Sequence, residues 1–223
     1  MVKNKLTRFA EIATFDNVIQ MGFEQSRLGL PLKGKWNQDH FKNELPIVVE
    51  LGCGKGEYTV GLAQRHANKN FLGVDIKGNR IWKGASFALE NKLNNVAFLR
   101  TRIDYIDTCF GPGEISEIWI TFPDPQPQLS REKKRLTHPQ FLARYAKFLK
   151  PGGIIHLKTD SRPLWEYTLG VIEEQKFKLL KATDDLYQSQ DPDFTEAKAI
   201  QTHYEDLFSS KGFSINYLRF TFN

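Results

Sequence analysis

Residues 46–56, Pro-Ile-Val-Val-Glu-Leu-Gly-Cys-Gly-Lys-Gly, set a continuous apolar run directly against three glycines. Side chains alternate faces along a strand, so a run that is apolar at Ile47, Val48 and Val49 needs cover on both faces. The interior of a parallel sheet supplies that cover. The same pattern recurs along the chain: Asn70–Asp75, Val96–Thr101, Ile115–Phe122 and Ile154–Asp160 read as strands. Between them lie longer amphipathic segments, with helices expected over Glu57–His66, Gly78–Asn91, His138–Leu149 and Arg162–Gln175. Lys150-Pro151-Gly152-Gly153 stops the third of these. Lys176–Thr183 and Phe213–Phe222 complete seven strands, and the last alternates cleanly, as an antiparallel strand with a more exposed face does. Alternating strand and helix units imply right-handed crossovers and an α/β doubly wound, mostly parallel sheet. Ligands of such sheets bind at the carboxyl ends of the strands.

A chain of 223 residues, 40% hydrophobic, is long enough for one α/β core and short for two. Two units are expected: a basic, irregular N-terminal extension over 1–45 and a folded domain over 46–223. Leu186–Thr202 reads as a long polar connection, and a loop of that length marks function or disorder. The net charge of +5 leans toward an anionic partner, although an ordinary soluble enzyme fits the charge equally well. Cys53 and Cys109 are far apart and in no metal-ligand spacing, so neither a disulfide framework nor a metal site is expected. The first fifteen residues contain no unbroken apolar stretch, and no run approaches the roughly 18 residues that span a bilayer. A cytoplasmic protein with no membrane partner, present as a monomer or weak homodimer, is expected.

The glycines at 52, 54 and 56 leave three readings open: a dinucleotide site, a nucleoside-type cofactor site, or a tight turn. A dinucleotide fingerprint requires G-x-G-x-x-G, and the third slot falls on Glu57 or on Thr59, depending on the frame. Asp75 ends the second strand, where an acid can accept hydrogen bonds from ribose hydroxyls or cap the following helix. Glu50-x-Gly52-x-Gly54-x-Gly56 resembles the cofactor loop of the class I, Rossmann-like S-adenosylmethionine-dependent methyltransferases. The resemblance implies S-adenosyl-L-methionine as cofactor, with Glu50 near its cationic methionine end. It also implies an acid near the adenine after the third strand, and Asp104 is the candidate, with Asp107 a near neighbour.

The fourth strand runs into Phe122-Pro123-Asp124-Pro125-Gln126-Pro127, and prolines on both sides of Asp124 restrict the backbone that carries its carboxylate. Ser130-Arg131-Glu132-Lys133-Lys134-Arg135 follows, with four bases and one acid. A charge run of this kind is commonly a solvated surface, but at the rim of the expected cleft it suits phosphates. Together with Lys158-Thr159-Asp160 and Thr202-His203-Tyr204-Glu205, in this order, these stretches resemble the bacterial tRNA (guanine-N7-)-methyltransferase family. The likeness extends over residues 46–223. At Gln126 and Gln128, where that family usually carries Trp and a base, the chain departs from the pattern, and the His of the basic stretch is missing.

The implied reaction is methyl transfer to N7 of the variable-loop guanine of tRNA. Guanine N7 carries an in-plane lone pair and no proton, so alignment and electrostatics rather than a strong base must supply the acceleration. Asp124 is the candidate catalytic residue and also touches the cofactor in this reading. Gln128, Asp160, Thr202, His203, Tyr204 and Glu205 are the candidate substrate contacts, and residues 130–135 the candidate RNA rim. Helix capping competes at Asp160, and a capping box, of which T-x-x-E is the signature, competes at Thr202 to Glu205. Lys3, Lys5 and Arg8 could contact the RNA backbone or belong to a solubilising end. Two rival functions remain at this level: a same-fold N-methyltransferase with another substrate, and a non-catalytic RNA-binding protein.

Overall fold

The computed structural model describes residues 4–202, 205 and 212–223. Eight strands form one sheet: β1 (Val18–Gln20), β2 (Ile47–Leu51), β3 (Asn70–Asp75), β4 (Val96–Arg100), β5 (Ile115–Thr121), β6 (Leu149–Thr159), β7 (Lys178–Thr183) and β8 (Asn216–Thr221). Their order across the sheet is β1-β4-β3-β2-β5-β6-β8-β7. All neighbours pair parallel except β8, which runs antiparallel to both β6 and β7. The order reverses direction at β2, and that switch point opens a crevice at its carboxyl end.

Helices α1 (Lys5–Ile12), α2 (Phe23–Leu28), α3 (Glu57–Arg65), α4 (Gly78–Glu90), α5 (Pro139–Tyr145), α6 (Arg162–Glu174) and α7 (Thr195–Lys198) surround the sheet. The continuous apolar run of β2 has the expected cause: Val48 belongs to a core shared with Tyr58, Phe98 and Trp119, whereas Val49 and Leu51 face Leu99, Ile118 and Ile120 on the other side. Both faces of β2 are covered, and all five of its residues are buried.

Three expectations change. The segment before residue 46, expected as an irregular extension, carries α1, the eighth strand β1 and a π-helical turn over Trp36–Phe41. Trp36 is fully buried, and its indole Nε1 donates to Cys109 O at 3.0 Å. A three-residue strand and isolated aromatics carry no periodic signal, so this part is invisible to pattern reading. The connection 186–202 is not a polar excursion, because Leu186, Phe194, Ala197 and Ile200 are buried against the second core. Helix α5 stops at Tyr145, and β6 extends back through the prolyl-glycyl stretch to Leu149, which pairs with Ile115.

Candidate active site

The glycine loop follows β2 directly. Gly52, Gly54 and Gly56 all have positive φ, at 79°, 57° and 74°. At Gly56 a Cβ would lie 2.6 Å from the Phe98 ring, so only glycine lets α3 begin this close to the sheet. At Gly52 a Cβ would meet nothing within 4 Å. Gly52 lines two cavities, which form the two lobes of the candidate cleft, a smaller one of about 310 Å³ and a larger one of about 490 Å³.

Glu50 lies under the smaller lobe and is buried. Its Oε2 accepts from Thr59 N at 2.9 Å and from the Thr59 hydroxyl, and its Oε1 accepts from Thr121 Oγ1 at 2.6 Å. Burial raises its pKa to about 7 against the pull of these hydrogen bonds. A buried carboxylate whose ionisation is disfavoured binds a cationic group well, because the cation supplies the missing charge compensation. Neither threonine was singled out from the sequence: Thr59 and Thr121 are 9 and 71 residues from Glu50.

Asp75 and Asp104 both line the larger lobe. Asp75 Oδ2 accepts from Gly54 N at 2.9 Å and Oδ1 from Lys77 N at 2.7 Å, so the carboxylate braces the glycine loop. Each oxygen retains a second lone pair for a ligand hydroxyl. Asp104 faces the cleft and pairs with Arg102 at 3.3 Å. Asp107, its competitor, is spent on Lys147 at 2.6 Å.

Beyond β5 the chain makes the proline-flanked elbow. Phe122 and Gln126 have φ of 47° and 45°, a left-handed backbone that is costly for side chains of their size. Phe122 N donates to Lys158 O at 2.8 Å, and the Asp124 carboxylate accepts from Gln126 N at 3.1 Å. Asp124 is exposed and lines the smaller lobe together with Glu50, Gly52, Gly54 and Thr202. The elbow is held from below as well: Arg135 donates from Nε and Nη2 to Gln126 O at 3.3 Å, with its guanidinium 4.3 Å over the Tyr167 ring. Arg135 thus braces the elbow, where the sequence suggested a phosphate contact.

The basic run forms a 3-10 turn over Leu129–Lys134. Gln128 precedes it and, with Ser130 and Arg131, is exposed; Glu132 is half-buried. Lys133 and Lys134 line the larger lobe opposite Asp75 and Asp104. Lys55, Lys77 and Arg80, which pattern reading passed over, line the smaller lobe on its glycine side. Arg8 lies 4.8 Å over the Trp82 ring, on the fold itself; Lys3 lies outside the described residues.

At the carboxyl end of β6, Asp160 is half-buried and burial raises its pKa. It does not line either lobe. The cap of α6 is Ser161, whose side chain accepts from Leu164 N, so capping does not occupy Asp160. Thr202 lines the smaller lobe, and its Oγ1 accepts from Glu205 N at 3.2 Å while a Glu205 carboxylate oxygen accepts from Thr202 N at 3.3 Å. This is the reciprocal capping box. Glu205 is buried, ion-paired with Lys158 at 2.8 Å, and lines neither lobe. His203 and Tyr204 lie outside the described residues. Among the described residues no group of three His, Cys, Asp or Glu is placed to hold a metal ion, and no helix is long and apolar enough to cross a membrane.

A family model described as "Putative methyltransferase" matches residues 44–218. The chain is 51% identical over 219 residues to a tRNA (guanine-N(7)-)-methyltransferase of Christiangramia forsetii, covering 98% of this chain and 97% of that protein. It is 47% identical to one of Bacteroides thetaiotaomicron, covering 99% and 86%. Among solved structures, the 16S rRNA methyltransferase KamB superposes with a TM-score of 0.62 at 15% identity, covering 86% of this chain and 94% of that one. A 30S ribosomal A1408 methyltransferase from an uncultured bacterium superposes with a TM-score of 0.57 at 16% identity, covering 82% and 90%. At such identities these two structures speak for the class I methyltransferase fold, and the full-length relatives speak for more: the chain belongs to the tRNA (guanine-N7)-methyltransferase family of enzymes.

Proposed function

We propose that the protein methylates N7 of the variable-loop guanine of tRNA with S-adenosyl-L-methionine as methyl donor. The observation that carries this reading is a cleft of two lobes that share Gly52 as a lining residue. In it, the buried Glu50 and the Pro-flanked Asp124 face one lobe, while Asp75, Asp104, Lys133 and Lys134 wall the other.

The residues fit the cofactor by their chemistry. Glu50 matches a cationic methionine end, Asp75 has lone pairs left for ribose hydroxyls, and the open space at Gly52 admits a ligand where a side chain would obstruct it. When bound, the cofactor supplies an electrophilic sulfonium methyl. The chain supplies alignment. Asp124, on a backbone with little freedom left to lose, sets a negative charge where the methylated guanine gains a positive one. No side chain has to remove a proton from N7. Arg131 and the lysines of the basic turn contact phosphates on one side, with Lys77 and Arg80 on the other, positioning the RNA without reading its sequence. A guanine stacked in folded RNA would have to leave its stack to reach Asp124.

In this reading the protein acts in the cytoplasm as a monomer or weak homodimer. Incubation with labelled S-adenosylmethionine and unmodified tRNA, followed by mapping of the modified base, tests it. Label at guanine N7 of the variable loop is expected. Label on another base atom, or tRNA binding without transfer, would overturn it.

A further inference from the structure

Lys158 is the most deeply buried charge in the described structure, with a relative exposure of 0%, and no step of the proposed reaction uses it. It sits on β6 directly beside Thr121, the residue that holds Glu50. Its backbone oxygen accepts from Phe122 N, the first residue of the elbow. Its side chain reaches the stretch that carries Ala197, Ile200 and Thr202, the last of which lines the smaller lobe. Nζ donates to Ala197 O at 2.6 Å, to Ile200 O at 3.1 Å and to the Glu205 carboxylate at 2.9 Å, which places all three ammonium hydrogens. Glu205 in turn accepts from the Tyr187 hydroxyl and from Thr202 N.

We propose that Lys158 and Glu205 form a buried latch that positions the Thr202 wall of the cleft against the Asp124 elbow, and that Glu205 acts on substrate only through this latch. Both are positioning residues, and the inference rests on the function proposed above. Two features argue for it. The ammonium satisfies two backbone carbonyls at the end of the 195–200 segment, so it fixes where that segment stops, and Thr202 lies two residues on. The carboxylate of Glu205 is already engaged by Lys158, Tyr187 and Thr202, so it has little capacity left for the donors of a guanine edge. A buried charge pair is weak evidence for stability but suits the selection of one arrangement over others, because removing either partner strands the other.

The test compares Lys158→Met, Glu205→Gln and the double variant. Each is measured for kcat and KM with tRNA, for the dissociation constant of S-adenosylhomocysteine, and for Tm. Each single variant is expected to raise the tRNA KM by about tenfold or more, as displaced binding groups do, with the S-adenosylhomocysteine constant changed by less than about threefold. The double variant, which leaves no charge stranded, is expected to recover much of the lost Tm and none of the lost KM. Its KM should be no worse than that of the poorer single variant, because the two residues work as a unit.

Recovery of KM together with Tm would make the pair merely structural and overturn the proposal. So would a wild-type KM in Lys158→Met, or multiplying effects in the double variant, which would put Glu205 on the substrate itself. Should Lys158→Met not fold, the double variant and Glu205→Gln decide between these outcomes. Should the wild-type protein transfer no methyl to tRNA, the proposed function fails by itself. The latch is then read from tRNA binding, where the same pattern supports it and unchanged binding overturns it.

Discussion

Thr121 Oγ1 donates to Glu50 Oε1 at 2.6 Å, joining the carboxyl ends of two neighbouring strands under the cleft floor. That contact makes the buried carboxylate part of the frame beneath the candidate site.

The pKa of Glu50, raised by burial to about 7 from an ordinary value of 4.5, sets a pH dependence. The folded, ligand-free protein holds this proton more tightly than the unfolded chain does. Its contribution to stability is therefore full below about pH 4.5 and is lost as pH rises through about 7. Over that window the loss is roughly 3 kcal/mol at most. Thermal melts of the ligand-free protein should show a falling component between these limits, and Glu50→Gln should remove it.

Asp124→Ala should lower kcat by roughly 100-fold, the scale of losing one preorganised electrostatic group. Its fold should persist, since the carboxylate is exposed and accepts only the Gln126 N–H, a bond worth about 1 kcal/mol. Asp124→Asn keeps an acceptor for the elbow and loses the charge. If turnover stays low in Asn, the charge is what matters; if Asn restores it, the geometry is.

Gly56→Ala and Gly52→Ala should fail differently. At Gly56 the new Cβ strikes Phe98, and the strained φ adds to the cost, about 3 kcal/mol together. For a chain of this length Tm should fall by roughly 6–12 °C. Gly52→Ala meets no neighbour and should lose about 1 kcal/mol from φ alone. Its larger effect should be on S-adenosylhomocysteine affinity, measured by calorimetry.

Arg131 and Arg135 are close in sequence and differ in setting. Arg131 is exposed on the rim, so Arg131→Ala should weaken tRNA binding and reduce the log-log salt slope by about one. Arg135 braces Gln126 O, so Arg135→Ala should lower kcat while leaving that slope unchanged. Filter binding across a salt series, with parallel turnover measurements, distinguishes the two.

Much of the fold was legible because its signals are local. Continuous apolar runs located β2 to β6 to within a few residues, apart from the start of β6, and the alternating Phe213–Phe222 stretch marked the antiparallel strand β8. Glycine spacing argued against a dinucleotide fingerprint, the resemblance to the class I methyltransferases pointed to Glu50 and Asp104, and the strand end to Asp75; all three line the cleft. The N-terminal segment was not legible, since Val18–Gln20 becomes a strand only by pairing with Phe98–Arg100.

The site divides in the same way. Sequence by itself determined where the glycine turn, the stiff acid-bearing elbow and the basic stretch would fall, because proline, glycine and clustered charge act on the backbone and field close to themselves. Only tertiary structure decided that Arg135 braces the elbow from beneath, that Lys133 and Lys134 wall the cleft, and that Glu205 answers Lys158. The Arg135 and Glu205 roles depend on partners 9 and 47 residues away, and for Glu205 and Lys158 on burial that turns a charge from a surface group into a fixed strut.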